Sequence, residues 1–393
     1  MGLYFWQLDK VTNSETSVIM STIIIAGDLC PKNRVASLFD EGKYEDVLSE
    51  VKPKIVSADY SMVNLEAPIV NGKGTPILKA GPNLKCSNKV IGAIKYAGFK
   101  GVTLANNHFR DYGEDGVLNT LKELHNKGVD FVGAGKNLLD AAFTKFLKIK
   151  EDTIAIINCC EHEYSIATKK SAGSNPLIPI DQYYAIQEAR SKAKRVFVVV
   201  HGGIEHYQLP TPRMVKTYRF FIDAGADAVI NHHQHCYSGY EIYNNKPIFY
   251  GLGNFCFDWN GKRNSNWNYG YLIKIDTETL AFEIIPYRQC DEQPNIRILD
   301  GEEKEGLFKK LDELNEIIRN TDALEENLYK LSTKNTRGFD PFHPYTNSYL
   351  CGLYRRGLLP SFVSKKKLMA IQNKIECESH LERLSYVIQY NLK

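Results

Sequence analysis

Five apolar segments in the first two thirds of the chain each end in residues that can bind a metal ion or move a proton. The segments are short and rich in Ile, Val, Leu and Ala, which is typical of buried strands. Because ligands of open α/β sheets bind beyond the carboxyl ends of the strands, we expect the residues at these ends to share one cleft. These residues are Asp28, Glu66, Asn106, Asn107, His108, His201, His232, His233 and His235.

Taken singly, each of these residues has an ordinary structural explanation. An Asp after a strand is usually a turn residue, and a His at a strand end is usually a hydrogen-bonded core or loop side chain. Together they are harder to explain, because burying several titratable groups in one cleft is costly unless a cation compensates. A bent turn could also aim His233 and His235 into one cleft. The sequence therefore predicts a site for one or two divalent ions, with Mn, Fe and Zn all compatible with its mixed O and N donors.

The elements that must position these residues alternate between strands and helices, which favours an α/β fold. Apolar residues at helical spacing predict helices at Asp115–Lys127 and Met214–Ala224. Closely spaced strands with short turns predict antiparallel pairing, and hence a mixed sheet, at Gly239–Tyr243, Pro247–Tyr250 and Tyr269–Ile275. The buried strands are predicted at Thr22–Gly27, Ser61–Leu65, Gly101–Ala105, Thr153–Asn158, Val196–Val200 and Ala228–Asn231.

Composition divides the chain into three parts. Residues 1–21 contain charges and lack the long apolar run of a signal peptide, so we expect a disordered extension. Residues 22–296 carry the α/β pattern. The Glu-, Lys- and Leu-rich pattern of residues 297–393 predicts an all-helical region. Its helices have apolar faces, and we expect them to pack on the α/β domain and to cover part of the cleft.

The overall composition is that of a globular protein without a nucleic-acid partner. Charged residues make up 24% of the 393 residues, the formal net charge is +3, and the basic residues form no dense stripe. The nine cysteines are irregularly spaced and form no CxxC pair, as expected for reduced core thiols of a cytosolic protein. No apolar run is long enough to cross a bilayer. We therefore expect a cytoplasmic protein without a membrane span.

Ordered motifs between Gly27 and about Asp258 resemble those of the CapA family, the bacterial capsule or poly-gamma-glutamate synthesis proteins. That family is similar in fold to the calcineurin-like metallophosphoesterases, so the resemblance implies a sandwich of mixed sheets flanked by helices. The motifs that carry the resemblance include Gly27-Asp28, Asn64-Leu65-Glu66, Leu104-Ala105-Asn106-Asn107-His108, His201-Gly202-Gly203-Ile204-Glu205, His232-His233-Gln234-His235 and Gly251-Leu252-Gly253-Asn254-Phe255.

The resemblance also implies a role for each residue. His108 would be the acid that meets a leaving-group oxygen, and Asp111 would orient its ring. Asn106, His232 and Asn254 would support the ligands or the substrate. Glu205 would either do the same or meet a cationic group of the substrate. The implied metal ligands are Asp28 and His235 for a first ion, Asn107, His201 and His233 for a second ion, and Glu66 as the bridge between them.

Two features depart from the metallophosphoesterase pattern. The usual Asp-x-His of the first motif is replaced by Asp28-Leu29-Cys30, and the usual bridging Asp is replaced by Glu66. The first metal site has therefore lost a ligand, and we expect it to bind its ion weakly or to lack it. Cys30 is interpreted as a small apolar core residue rather than as a replacement ligand.

These observations favour a metal-dependent hydrolase, and among hydrolases a phosphoesterase. Its substrate would be an anionic small molecule or polymer in the synthesis of capsule or another surface polymer, poly-gamma-glutamate-like or polysaccharide. The oriented acid His108 argues for catalysis, because a pure binding site needs none. The depleted first metal site favours a different function, that of a non-catalytic metal-containing accessory that binds an anionic polymer for a partner synthase. Amide hydrolysis is a further alternative, because a metal-activated hydroxide can also attack a carbonyl group. The resemblance to the CapA family also implies biosynthetic partner proteins.

Overall fold

The computed structural model describes residues 21–334, 349–350, 353, 356, 358–359 and 364–391. Residues 1–20 of the predicted extension lie outside this part of the chain. The strands are β1 (Thr22–Leu29), β2 (Tyr60–Leu65), β3 (Gly101–Thr103), β4 (Asp130–Val132), β5 (Ala134–Gly135), β6 (Lys145–Ile149), β7 (Asp152–Cys160), β8 (Gly173–Ser174), β9 (Arg195–His201), β10 (Ala228–His232), β11 (Tyr240–Tyr243), β12 (Lys246–Phe249), β13 (Asn254–Cys256), β14 (Tyr269–Asp276), β15 (Phe282–Gln289) and β16 (Ile296–Ile298). The helices are α1 (Asn33–Asp40), α2 (Tyr44–Leu48), α3 (Lys52–Val56), α4 (Lys89–Ala97), α5 (Gly113–Asn126), α6 (Leu138–Ala141), α7 (Pro179–Arg190), α8 (Pro212–Asp223), α9 (Gly301–Arg319), α10 (Thr321–Thr333), α11 (Lys365–Glu376) and α12 (Glu378–Asn391).

Two large mixed sheets form the middle of the molecule. The first has the strand order β16-β15-β14-β1-β2-β3-β4, and β13 pairs with the end of β1. Strands β1 to β4 are parallel, whereas β14, β15 and β16 pair antiparallel. The second sheet has the order β11-β12-β10-β9-β7-β6, with a parallel centre and antiparallel edges. The predicted α/β class with mixed sheets is confirmed.

The side chains of β1 alternate between two hydrophobic cores, because successive residues of a strand point to opposite faces of the sheet. Ile23 and Ile25 lie in the core between the two sheets, together with Val198 of β9. Ile24 lies in the core between the first sheet and the N-terminal helices, together with Val90 of α4. Helices α7 and α8 pack against the second sheet. The result is the predicted sandwich of mixed sheets flanked by helices.

The described part of the C-terminal region is helical, as predicted, but it starts later than the composition indicates. The proposed boundary at Arg297 falls inside β16, which pairs with β15, and the first helix begins at Gly301. Helix α9 packs against β11 and α10 packs against α8 and α9, and they add Leu311, Leu314 and Leu324 to the buried cluster around the second sheet. Helix α12 packs against α10 and α11. Among the described residues, no helix combines the length and the apolar character needed to cross a membrane.

Candidate metal centre

Parallel strands of both sheets bring the predicted ligands together at their carboxyl ends. In the first sheet, Asp28 lies near the end of β1 and Glu66 directly follows β2. In the second sheet, His201 is the last residue of β9. The remaining ligands lie in the loops after β3 and β10. None of the six side chains belongs to a residue more than 6% exposed: Asp28, Glu66, Asn107, His201, His233 and His235.

Glu66 is the most informative residue of this cluster, because neither of its carboxylate oxygens has a hydrogen-bond partner among the described residues. Its Oε1 lies 3.5 Å from His201 Nε2 and 3.6 Å from His235 Nε2. Burial, and then the charge of Asp28, raise the pKa of Glu66 well above its usual value. An ionised carboxylate buried without donors is costly, and a cation bound between it and the imidazoles removes that cost. The residues present therefore fit a metal ion.

The ligands form two groups that share Glu66. In each group, one ligand atom of each residue lies within 4.8 Å of the others. Asn107 extends the second group, since its Oδ1 is 3.0 Å from His201 Nε2. We call these groups the first half-site, Asp28, Glu66 and His235, and the second half-site, Glu66, Asn107, His201 and His233.

A β-bulge places Asp28 in the first half-site. The register of β1 with β2 shifts between Ala26 and Asp28. At this shift Gly27 approaches the neighbouring chain so closely that a Cβ would lie 1.9 Å from the carbonyl oxygen of Gly253. Only glycine fits there, and the local kink of the strand changes the direction of the Asp28 carboxylate that follows it.

The turn that carries His233 and His235 is bent in the way their spacing predicts. Both residues have a left-handed backbone, with φ of 93° and 54°. This conformation costs about 1–3 kcal/mol for a residue other than glycine and persists only where its surroundings fix it. One such restraint is the backbone N–H of His233, which donates to Asp28 Oδ2 at 3.2 Å. Strain of this kind concentrates at functional sites.

Two asparagines fix the side chains of the first half-site. Asn254 Nδ2 donates to the carbonyl oxygens of His235 and Trp267, so its Oδ1 accepts from His235 Nδ1 at 2.9 Å. This leaves His235 Nε2 facing Glu66. Asn64 Nδ2 donates to Asp28 Oδ1 at 2.7 Å and lies 3.3 Å from His201 Nδ1. Ligand chemistry alone did not single out Asn64, although it stands in the same motif as Glu66.

Burial also sets the protonation of the imidazoles. It is the largest cause that lowers the pKa of His233 and of His235 to about 3, and it lowers the pKa of His201 well below its usual value. Burial likewise raises the pKa of Asp28 to about 7. Neutral imidazoles are the form in which His binds a metal ion, so three of the ligands are already in that form at neutral pH.

A second cluster beside Asn107 contains His108, Asp111 and Lys79. His108 Nδ1 donates to Asp111 Oδ2 at 2.7 Å, and the backbone N–H of Leu84 donates to the same oxygen at 2.6 Å. The other carboxylate oxygen, Oδ1, pairs with the buried ammonium of Lys79. Burial, and then the charge of Lys79, lower the pKa of His108. No sequence pattern pointed to Lys79, because it lies in an irregular segment without apolar periodicity.

The four residues assigned to substrate contact or ligand support occupy different places. Asn106 holds its own loop, donating to Leu65 O at 2.9 Å and accepting from the backbone N–H of His108 at 3.2 Å. His232 Nε2 donates to the carbonyl oxygen of Ala26 at 3.0 Å and so links the second sheet to β1. Asn254 holds His235, as described above. Glu205 is exposed, and its charge acts on the pKa of Glu66 and His233.

Cys30 belongs to neither half-site. Its side chain lies in the core beneath the first sheet, and the residue is 1% exposed. Burial is the largest cause that raises the pKa of its thiol well above the usual value. A protonated thiol is a poor metal ligand, so its place in the structure is that of a small core residue.

Comparison with known proteins assigns the chain to a family. The profile of the family described as bacterial capsule synthesis protein PGA_cap matches residues 22–259. The chain belongs to this family. It is 28% identical over 298 residues to the capsule biosynthesis protein CapA of Bacillus anthracis, and the match covers 74% of this chain and 72% of that protein. It is 30% identical over 295 residues to the PGA biosynthesis protein CapA of Bacillus subtilis, covering 73% and 77% respectively.

The expected resemblance to CapA proteins is thus confirmed, and all six candidate ligands lie inside the matched residues. Helices α9 to α12 lie outside them. Among solved structures, that of a novel phosphatase from Mycoplasma pneumoniae is similar over 70% of this chain and 95% of that chain, with 18% identity and a TM-score of 0.44. This likeness is loose, so the assignment of the chain rests on the family and on its own site.

Proposed function

We propose that the chain is a dinuclear metal-dependent phosphoesterase that acts on an anionic substrate in the synthesis of capsule or a related surface polymer. The observation that carries the proposal is the buried, unpartnered carboxylate of Glu66 between two groups of ligands in the described part of the chain. Carboxylate, amide and imidazole donors suit Mn, Fe or Zn. The names of the CapA relatives, taken from capsule and PGA biosynthesis, support the choice of substrate class and of polymer-synthesising partner proteins.

When bound, two divalent ions would polarise a phosphoryl oxygen and lower the pKa of a water molecule. The residues of the chain supply the rest. Glu66 and Asp28 hold negative charge where cations are needed, and the buried ligand shell excludes bulk water. His108 donates a hydrogen bond from Nδ1–H to Asp111, so Nε2 is the atom that can take up a proton and pass it to the leaving-group oxygen.

The pair of His108 and Asp111 is also what favours an esterase over a non-catalytic accessory. Asp111 accepts from three donors, including the ammonium of Lys79, and so is held rigidly in place. An imidazole fixed in this way has a set tautomer and direction, which proton transfer requires and polymer binding does not.

The test is to measure metal content and turnover on the same preparations. The protein is stripped with a chelator, reloaded with Mn, Fe or Zn, and analysed by elemental mass spectrometry. Turnover of p-nitrophenyl phosphate and bis(p-nitrophenyl) phosphate is then followed for each form. We expect up to two ions per chain and turnover that depends on them. A metal-loaded protein that hydrolyses neither ester but retains an anionic polymer would support the accessory instead.

A further inference from the structure

The C-terminal helices dock on the loop that follows β7, which begins at Glu161. The carboxylate of Glu378 accepts from the backbone N–H of His162 at 2.9 Å and from its Nδ1 at 2.7 Å. Ser379 Oγ donates to Glu161 Oε1 at 2.8 Å, and the same oxygen pairs with Arg213. These contacts hold the C-terminal helices on the loop without a ligand.

The same loop extends from the docked helices to the second half-site. Glu163 Oε1 lies 3.9 Å from Nε2 of the candidate ligand His233. Its other oxygen, Oε2, accepts from Asn373 Nδ2 of α11 at 3.4 Å. The next residue, Tyr164, donates its hydroxyl to the carbonyl oxygen of Met369, also of α11, at 3.3 Å. Helix α11 is therefore one side chain away from a predicted metal ligand.

The amide of Asn373 lies against the side chains of Glu163 and His380. Its Nδ2 donates to Glu163 Oε2 and also lies 3.2 Å from His380 Nδ1 of α12, which accepts in the tautomer protonated at Nε2. Its Oδ1 is the remaining polar atom of the amide. This oxygen is buried and accepts no hydrogen bond within the described part of the chain. A buried acceptor without a hydrogen-bond partner is expected to bind a donor.

Glu163 adds a buried carboxyl group beside this unsatisfied acceptor, and burial is the largest cause that raises its pKa, to about 8. Its side chain is only 10% exposed, and within the described ranges it forms no ion pair with a Lys or Arg side chain. The nearby Lys79 is committed to Asp111, and the neighbouring charge that acts most strongly on Glu163, that of Glu205, is another carboxylate. A buried carboxyl group without a cationic partner and a nearby unpartnered amide oxygen suit an ammonium group, whose N–H groups can donate to both oxygens.

We propose that Glu163, Asn373 and His380 form a specificity pocket beside the second half-site, which binds an ammonium group on the substrate. The position of the phosphoryl group at the metal ions rests on the function proposed above. Asn373 and the oxygen of Glu163 accept from the ammonium, and His380 holds the amide in place. The C-terminal helices, which lie outside the residues that the family profile matches, then select the substrate of this chain.

The pocket is tested with two probes that differ only in the ammonium group, O-phosphoethanolamine and ethyl phosphate. Their dissociation constants for the full-length, manganese-loaded protein are measured by calorimetry, so the result does not depend on turnover. We expect O-phosphoethanolamine to bind about tenfold more tightly, a difference of about 1.4 kcal/mol. Asn373→Leu and His380→Phe should each abolish this preference while ethyl phosphate affinity and manganese content stay unchanged.

The matched control is Gln372→Ala, an exposed neighbour of Asn373 whose side chain bonds to Glu376 along the same helix, and it should keep the preference. Equal binding of the two probes by the unmodified protein, or an unchanged preference in both variants, would overturn the pocket. Loss of manganese in Asn373→Leu would also overturn it, because the residue would then support the metal centre. Absence of phosphoester turnover with the preference intact would instead refute the proposed function alone.

Discussion

The two half-sites share Glu66 but differ in what completes them. The second has two imidazoles and the Asn107 amide oxygen, whereas the first has only the Asp28 carboxylate and one imidazole. Where the metallophosphoesterase pattern has a further His, this chain has Cys30 in the hydrophobic core. Since affinity grows with the number of placed ligands, we expect the second half-site to bind its ion more tightly. The first ion would then be the one whose occupancy varies with metal supply.

The largest effect is expected from Glu66→Gln, because this residue belongs to both half-sites. The variant should lose both ions and all metal-dependent turnover. Metal at a hundredfold excess over its dissociation constant stabilises the unmodified protein by about 2.7 kcal/mol, and the variant should gain none of this. Elemental analysis and thermal unfolding with and without manganese measure both effects. Retention of one tightly bound ion would show that Glu66 serves only one half-site.

The thermal stability of the metal-free Glu66→Gln variant, measured at several pH values, provides a control for this prediction. Burial raises the folded-state pKa of Glu66, so at neutral pH its ionisation destabilises the metal-free protein. The neutral amide introduced by Glu66→Gln avoids this cost, and the metal-free variant should unfold at a higher temperature than the metal-free unmodified protein. The difference should vanish below about pH 4, where the carboxyl group is protonated in both folded and unfolded states. A variant that is less stable at pH 7 would contradict the assignment of Glu66 as a strained, unpaired acid.

A smaller effect is expected from substitutions that remove one ligand of a single half-site. Asp28→Asn keeps the shape of the side chain and should leave one tightly held ion in the second half-site. His201→Ala should leave at most one weakly held ion in the first. Titration of the metal-free proteins with manganese, followed by calorimetry, gives the two affinities. Equal affinities for the remaining ions would remove the difference between the half-sites.

His108→Asn should affect chemistry and spare both half-sites. General acid catalysis typically contributes about 100-fold or more, so turnover should fall by that factor while metal content is unchanged. Asp111→Asn should have a similar effect through His108, because it removes the acceptor that fixes the ring. A parallel loss of metal in His108→Asn would place this residue among the ligands.

Much of the candidate site was predictable from the sequence, since the candidate ligands lie at or shortly after the carboxyl ends of buried strands. An apolar run such as Val196–Val200 predicts both its strand and the edge of the sheet at which His201 lies. The mixed sheets were also predictable from the change in strand spacing after residue 230. The packing of the two sheets, which no local pattern reveals, brings Asp28 into contact with His233, 205 residues away along the chain.

The residues that the sequence did not reveal lie in irregular segments or depend on long-range contacts. Lys79 and Glu163 lie in loops, where no periodicity indicates which side chains are buried. Asn373 and His380 sit on helices whose amphipathic pattern predicts an apolar face but not its partner. Their neighbour Glu163 is 210 residues from Asn373 along the chain. Only the folded structure shows that these polar residues meet near the candidate metal ligands.

The smallest effect is expected from Cys30→Ala, the substitution that tests why the first half-site is the poorer one. If the thiol is a core residue, both ions should bind with unchanged affinity. The free energy of unfolding should then fall by about 1 kcal/mol, as it does when a small group is removed from a packed interior. Manganese and zinc titrations, together with denaturant unfolding, separate the two quantities. Zinc is included because it prefers thiolate more strongly than manganese does, so a hidden Cys30 ligand would be lost first with zinc. A selective loss of zinc affinity at unchanged stability would make Cys30 the missing ligand and would bring the two half-sites to nearly equal strength.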